Sequence, residues 1–345
     1  MTESPAPIEV PTWFKAGVMA ASAGLGLVGA EVIVRAGSGG ALPHLRLFVQ
    51  DGDRIGLQPD ACAAVRHAAG HRFEVCADAG GHRRLPAETP QEATAPWLAV
   101  GDSQVLGMGV DGSETFAARN GWINGGVPGH GVEDAIATAR AAAGEDATSG
   151  VVVVVNQAND WEEALVPAGR RYRVAGGMLL RSATATTGGT VFWDSPLSRL
   201  HLLSYAALLV SAPRVADEAT APGWLADPRS QQATSAAMAG AIRAFATSHP
   251  DLTVITAFLP VDVAISEDRV PSSPFGRYAG SVTPAPWEES TLRDQLRSAL
   301  DGSPVRFVDL GAPLAATPDA FLDADYHLSA AGHAAVAAHL AEVTR

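Results

Sequence analysis

The sequence has one lysine, Lys15, and no run of Lys or Arg anywhere. Its 24 basic residues face 37 acidic ones, for a net charge of −13. A nucleic-acid binder would carry a basic face, so this balance argues against one. No internal repeat is visible, and residues 37–92 hold no convincing helix. Cysteine is scarce too. The only two, Cys62 and Cys76, form C-x4-H-x3-H-x4-C with His67 and His71. Three readings stay open for that pattern: a zinc site, a disulfide closing a hairpin outside the cytoplasm, or two unrelated thiols. Gly70 weakens a shared helix face there, and the spacing does not match a short zinc knuckle, so neither metal nor cofactor is expected.

What is present is apolar. Residues of that kind make up 47 % of the 345, which excludes a disordered chain and supplies a sizeable core. The length suits one large α/β domain with an appendage, or two domains. From Ala16 to Val34 the only clearly polar residues are Ser22 and Glu31. Nineteen helical residues span about 28 Å, close to the hydrocarbon core of a bilayer. The stretch reads as a membrane anchor, a signal cleaved after "VGA" before Glu31, or a soluble helix. Lys15 and Arg35 flank it and set no orientation. The expected location is the cell envelope, anchored or secreted, with the cytoplasm as the alternative.

From residue 93 onward strands and helices alternate. "WLAV" (97–100), "GWINGGV" (121–127), "GVVVVVN" (150–156), "LTVITAFLP" (252–260) and "VRFVDL" (305–310) read as strands. The five valines suit a strand covered on both faces. Segments 131–144, 230–250, 290–302 and 329–344 read as helices. The alternation predicts α/β architecture with a doubly wound parallel sheet, whose crevice lies beyond the C-terminal strand ends. We divide the chain into 1–36 (apolar helix), 37–92 (extended or hairpin segment) and 93–345 (α/β domain, with 161–228 an insertion over one edge of the crevice).

Chemistry-bearing groups fall at those strand ends. "GDSQ" places the Ser103 hydroxyl after the first strand. A serine needs an adjacent base, itself oriented by a third group, and donors aimed at the developing oxyanion. "NGGVPGHG" (124–131) offers backbone N–H groups, "NQAND" (156–160) the Asn159 amide, and "DADYHLSAAGH" (323–333) His327 with Asp323 and Asp325. Asp102 reads as a structural hydrogen-bonder and His130 as a solvated loop residue. His333 and His339 read as structural. "FW" at 192–193 fits either an apolar acyl site or the core.

These four blocks, in this order, resemble the SGNH hydrolase superfamily, the GDSL-type esterases and lipases. The resemblance covers about residues 95–345. It implies a flavodoxin-like three-layer α/β/α sandwich with Ser103 as nucleophile and His327 as general base. It also implies an oxyanion hole made of the Ser103 and Gly126 N–H groups and the Asn159 amide. The upstream stretch is similar to a bacterial subgroup in which a membrane helix ends in Glu-x-x-x-Arg, here Glu31 and Arg35, before a short β segment.

Two positions depart from the family pattern. The usual acid lies three residues before the histidine, where this chain has Ala324. Branches related to polysaccharide acetylation use Asp-x-His, which favours Asp325, with Asp323 the alternative. The usual glycine two before Asn159 is Gln157. The expected activity is hydrolysis of a small-molecule or glycan ester. An O-acetyltransferase acting on an envelope glycan and a non-catalytic anchored binding module are the competing readings.

Overall fold

The computed structural model describes residues 11–66, 71–85, 96–145, 148–164, 166–182, 187–211, 227–275 and 291–345. Five parallel strands form its central sheet: β5 (Trp97–Gly101), β6 (Ile123–Gly126), β7 (Gly150–Asn156), β10 (Thr253–Leu259) and β11 (Arg306–Asp309). Their order is β6-β5-β7-β10-β11. Numbered along the chain this is 2-1-3-4-5, the flavodoxin-like order. From β5 the chain adds β6 on one side and then β7, β10 and β11 on the other, so the crevice at the C-terminal end of β5 is the topological switch point. Ser103 lies two residues beyond that end.

The valine strand shows why both faces must be covered. Every residue of β7 is buried. Val151, Val153 and Val155 pack with Ile136, Met238, Ile242 and Leu296 on one side. Val152 and Val154 pack with Phe116, Leu314, Val336 and Leu340 on the other. Each such valine contributes about 1.5–3 kcal/mol on burial. The first face is closed by helices Val132–Glu145, Pro228–Ser248 and Thr291–Leu300, and the second includes Ala330–Val343. This is the three-layer α/β/α sandwich.

Before the sheet come two antiparallel hairpins, β1 (Phe48–Asp51) with β2 (Arg54–Leu57), and β3 (Cys62–Arg66) with β4 (Arg72–Cys76). Cys62 and Cys76 are directly opposed across β3 and β4 and form a disulfide. Their sulfurs are therefore spent on each other, not on a metal; His67 lies outside the described residues. Phe48, Ile55, Phe73 and Val75 build a small core that reaches Leu106 and Val127 of the sheet domain.

The region 161–228 holds structure that its irregular sequence hid. Strands β8 (Tyr172–Ala175) and β9 (Met178–Arg181) form a third hairpin. Trp193 packs under it with Ala175 and Met178, so the "FW" pair is core for this hairpin and not an acyl wall.

Helix α1 (Thr12–Gly37) runs 26 residues and buries none of them. It is long and apolar enough to cross a membrane. Its docking point is Glu31, whose carboxylate accepts from the His201 and Leu202 N–H groups at 2.9 and 2.8 Å. Those N–H groups open the helix His201–Ser211 and have no intrahelical partner of their own.

Candidate active site

The nucleophile block is shaped by its neighbours in sequence. Asp102 caps the four-residue helix α2 (Ser103–Leu106), its Oδ1 accepting from the Gln104 N–H at 2.9 Å. Its Oδ2 accepts from Asn156 Nδ2 at 2.8 Å, tying the end of β5 to the end of β7. Asp102 is thus a structural acceptor. Ser103 becomes the first residue of α2, with its own N–H at the helix N-terminus.

Across the crevice a tight turn carries the base. Leu322 N–H donates to the His327 carbonyl at 2.8 Å, and Ala324 sits in the left-handed region at φ 54°. This turn brings Asp325 back onto its own chain. Asp325 Oδ1 accepts from the Tyr326 N–H at 2.6 Å and from His327 Nδ1 at 2.9 Å. His327 Nε2 stands 2.8 Å from Ser103 Oγ. A proton on Nδ1, facing the carboxylate, leaves Nε2 to accept from the serine hydroxyl. The Tyr326 ring stacks on the imidazole at 4.5 Å, and Phe275 packs edge-on against Tyr326 at 5.0 Å. Ser103, His327 and Asp325 keep only 7, 9 and 6 % of their surface exposed, which withholds bulk water from the pair.

Asp323 is elsewhere. Its side chain is 96 % exposed, 4.0 Å from Arg269. The one-residue shift in spacing is therefore absorbed by the turn at Ala324. Arg269 holds the same turn from behind, donating to the carbonyls of Leu322 and Asp325. Its Nε lies 3.4 Å from the buried carboxylate of Asp262.

The expected oxyanion donors divide. Gly126 does not present its N–H to the crevice, because that N–H donates to Asn124 Oδ1 at 3.1 Å. Its lack of a side chain serves packing instead: a Cβ there would stand 2.2 Å from the Leu106 nitrogen. Three residues on, Gly129 adopts φ 79°, and among the described residues its N–H has no protein acceptor. Its carbonyl is turned away, accepting from Arg171 at 2.7 Å.

Asn159 directs one amide hydrogen to Glu163 Oε2 at 2.7 Å. Glu163 is itself held by the Tyr172 hydroxyl at 2.6 Å and by Arg171 Nη1 at 3.0 Å. The same arginine thus grips both the Gly129 loop and the acid that orients Asn159. Burial raises the Glu163 carboxyl, against the pull of Arg171 and Tyr172. Burial, then the Asp102 charge, pushes Asp160 well up, which favours its neutral form.

Three further expectations meet different surroundings. His130 is buried, its Nε2 2.8 Å from the Ile55 carbonyl, so it is neither solvated nor in the crevice. Gln157 turns aside to accept from the Val261 N–H at 3.1 Å. His333 is fully buried and accepts the Phe116 N–H on Nδ1 at 3.3 Å. Sequence reasoning missed Gln104, Tyr326 and Arg269. "GDSQ" already carried Gln104 as a signal, since an amide beside the nucleophile needs two partners once buried.

Among solved structures the chain is similar to a GDSL-like lipase from Bacteroides thetaiotaomicron. The identity is 13 % and the TM-score 0.40, covering 74 % of this chain and 90 % of that one. It is also similar to an α/β hydrolase enzyme from the metagenome of Lake Arreo, Spain. There the identity is 13 % and the TM-score 0.35, with 73 % and 97 % covered. No protein-family model and no curated protein matches it. The chemistry of the site is read from this chain's own side chains.

Proposed function

We propose that the protein is a serine hydrolase of the SGNH type that cleaves carboxylic esters through an acyl-enzyme on Ser103. The observation that carries this reading is the continuous chain Ser103 Oγ, His327 Nε2, His327 Nδ1, Asp325 Oδ1, with links of 2.8 and 2.9 Å. Ser103 Oγ attacks the ester carbonyl carbon while its proton passes to His327 Nε2. The Asp325 carboxylate stabilises the imidazolium that forms. Collapse of the tetrahedral intermediate breaks the carbon–oxygen bond, and Nε2 returns its proton to the departing alcohol. Water, deprotonated by the same nitrogen, then releases the acid and restores Ser103.

The oxyanion donors in this reading are the Ser103 N–H, the second amide hydrogen of Asn159, and the Gly129 N–H in place of Gly126. Each donor is worth about 3–4 kcal/mol of transition-state stabilisation. Glu163 Oε2 accepts one amide hydrogen of Asn159, so the NH2 group and not the amide oxygen is the end held on that side. In this reading α1, long and apolar enough to cross a membrane, anchors the domain, and the enzyme acts in the cell envelope.

The test is turnover of a p-nitrophenyl ester series of increasing acyl length. The wild-type chain is expected to hydrolyse at least one member and Ser103→Ala none. Equal rates for the two would overturn the assignment.

A further inference from the structure

The chain has no basic run, yet the fold gathers one in space. At the foot of α1 a cavity of about 530 Å³ is lined by Arg35, His44, Arg46, Arg199 and His201. Arg35 occupies the last turn of α1. Arg66, from β3, donates to the Gly37 carbonyl at 2.6 Å and adds a fourth guanidinium beside that helix end. In a chain of net charge −13 such a concentration of cations needs an anion.

None is supplied by the protein. Among the described residues Arg35, Arg46 and Arg199 have no carboxylate partner. The nearest acid, Glu31, is spent on the His201 and Leu202 N–H groups and sits 3.3 Å from His201 Nδ1. Arg46 points four bonds inward, to the carbonyls of Gly176, Trp193 and Ser198 and to Ser198 Oγ, which fixes its charge in place without neutralising it. Two imidazoles, His44 and His201, line the same cavity. With three arginines on it left without a carboxylate, the cavity suits a ligand rich in acceptors.

Position narrows the choice of ligand. The cavity opens where an exposed apolar helix ends, with Trp13 and Phe14 exposed at its other end, as aromatic residues are at membrane interfaces. Guanidinium groups match phosphate oxygens in pairs, and basic pockets beside membrane helices suit lipid headgroups. We propose that this cavity holds the phosphate of an anionic phospholipid headgroup, drawn from the bilayer in which α1 sits. The proposal rests on the reading of α1 as bilayer-embedded.

The experiment is native mass spectrometry of the full chain in detergent with equimolar dioleoyl-phosphatidylglycerol and dioleoyl-phosphatidylcholine. Phosphatidylglycerol adducts should exceed phosphatidylcholine adducts. Arg35→Gln with Arg199→Gln, both exposed positions, should cut them by about fivefold per arginine, the attraction expected of one basic side chain near an anionic surface. The exposed Arg243→Gln on the Pro228–Ser248 helix should leave them unchanged. Equal adducts of the two lipids, or a double variant that keeps its phosphatidylglycerol, would overturn the proposal. So would calorimetric binding of inorganic phosphate with no lipid adduct, which assigns the cavity to a soluble anion. Retention of the full chain on phosphatidylcholine vesicles tests α1 alone: loss there with headgroup binding intact contradicts the placement of α1, not the cavity.

Discussion

Gln104 holds His327 by both of its neighbours. Its Nε2 donates to the Tyr326 carbonyl at 2.9 Å, and its Oε1 accepts from the Leu328 N–H at 3.0 Å. The residue beside the nucleophile thus fixes the turn that carries the base, across 222 and 224 positions of sequence. Gln104→Ala frees that turn. We expect kcat to fall by about tenfold or more with KM little changed, since misplacement by 1 Å alone can cost about a hundredfold. Gln104→Glu keeps the acceptor and loses the donor, so it should fall between the two. Steady-state kinetics on the p-nitrophenyl ester check this; a drop confined to KM would contradict a positioning role.

Asp325 and Asp323 separate cleanly. Only Asp325 reaches His327 Nδ1. Asp325→Asn should lower kcat by roughly three to four orders of magnitude, because the imidazole takes the wrong tautomer. Asp323→Asn, at an exposed side chain, should stay within about twofold of wild type, in the range of ordinary surface changes. Comparable losses in both variants would show that the turn does not hold in solution as drawn.

His333 makes stability depend on pH. Burial, then the charges of Arg83 and Arg119, pushes its imidazole down to about 3 from 6.5. The unfolded chain therefore binds a proton that the folded chain refuses. Stability is full above about pH 6.5 and is lost as pH falls toward about 3, at up to about 1.4 kcal/mol per pH unit. Asp160 and Glu163, raised by burial, act with the opposite sign on acidification, so the wild-type slope is a net quantity. His333→Asn retains an acceptor for the Phe116 N–H and removes the titration. Relative to its own value at pH 7, the urea midpoint at pH 5 should lie higher in the variant than in wild type.

Arg83 joins the small hairpins to the nucleophile helix. Its buried guanidinium donates to the carbonyls of Leu106, Gly107, Val110 and Glu74. Two of these close the C-terminal end of α2. Burial lowers its pKa to about 10, with Asp111 and Glu114 pulling the other way, so it stays charged at neutral pH. Arg83→Met leaves those carbonyls unpaired and should cost about 3 kcal/mol or more by urea denaturation. Arg83→Lys should recover part of that loss.

The sheet was legible because its signal is periodic. The five valines of β7 and the apolar spacing of the Val132–Glu145 and Thr291–Leu300 helices each answer to one burial geometry. The β8–β9 hairpin was not, since its turn residues Gly176 and Gly177 sit in a glycine-rich stretch with no alternation to set it apart. In the site, Ser103, His327 and Asn159 were named from the resemblance of four ordered blocks, since a serine, a histidine or an asparagine after a strand is by itself an ordinary turn or cap residue. Gly126 was misjudged because a glycine can serve close approach or donate its N–H, and sequence does not separate the two. Here Leu106 above it and Asn124 beside it decide for packing. The choice between Asp323 and Asp325 depended on the left-handed Ala324, a conformation that alanine does not announce.

The most direct test of the proposed chemistry is covalent. The full-length chain is treated with a fluorophosphonate probe, digested, and the modified residue located by mass spectrometry. Modification of Ser103, lost in His327→Ala, is the expected result. An unmodified Ser103 in folded protein, or labelling that survives removal of the imidazole at full rate, would contradict it.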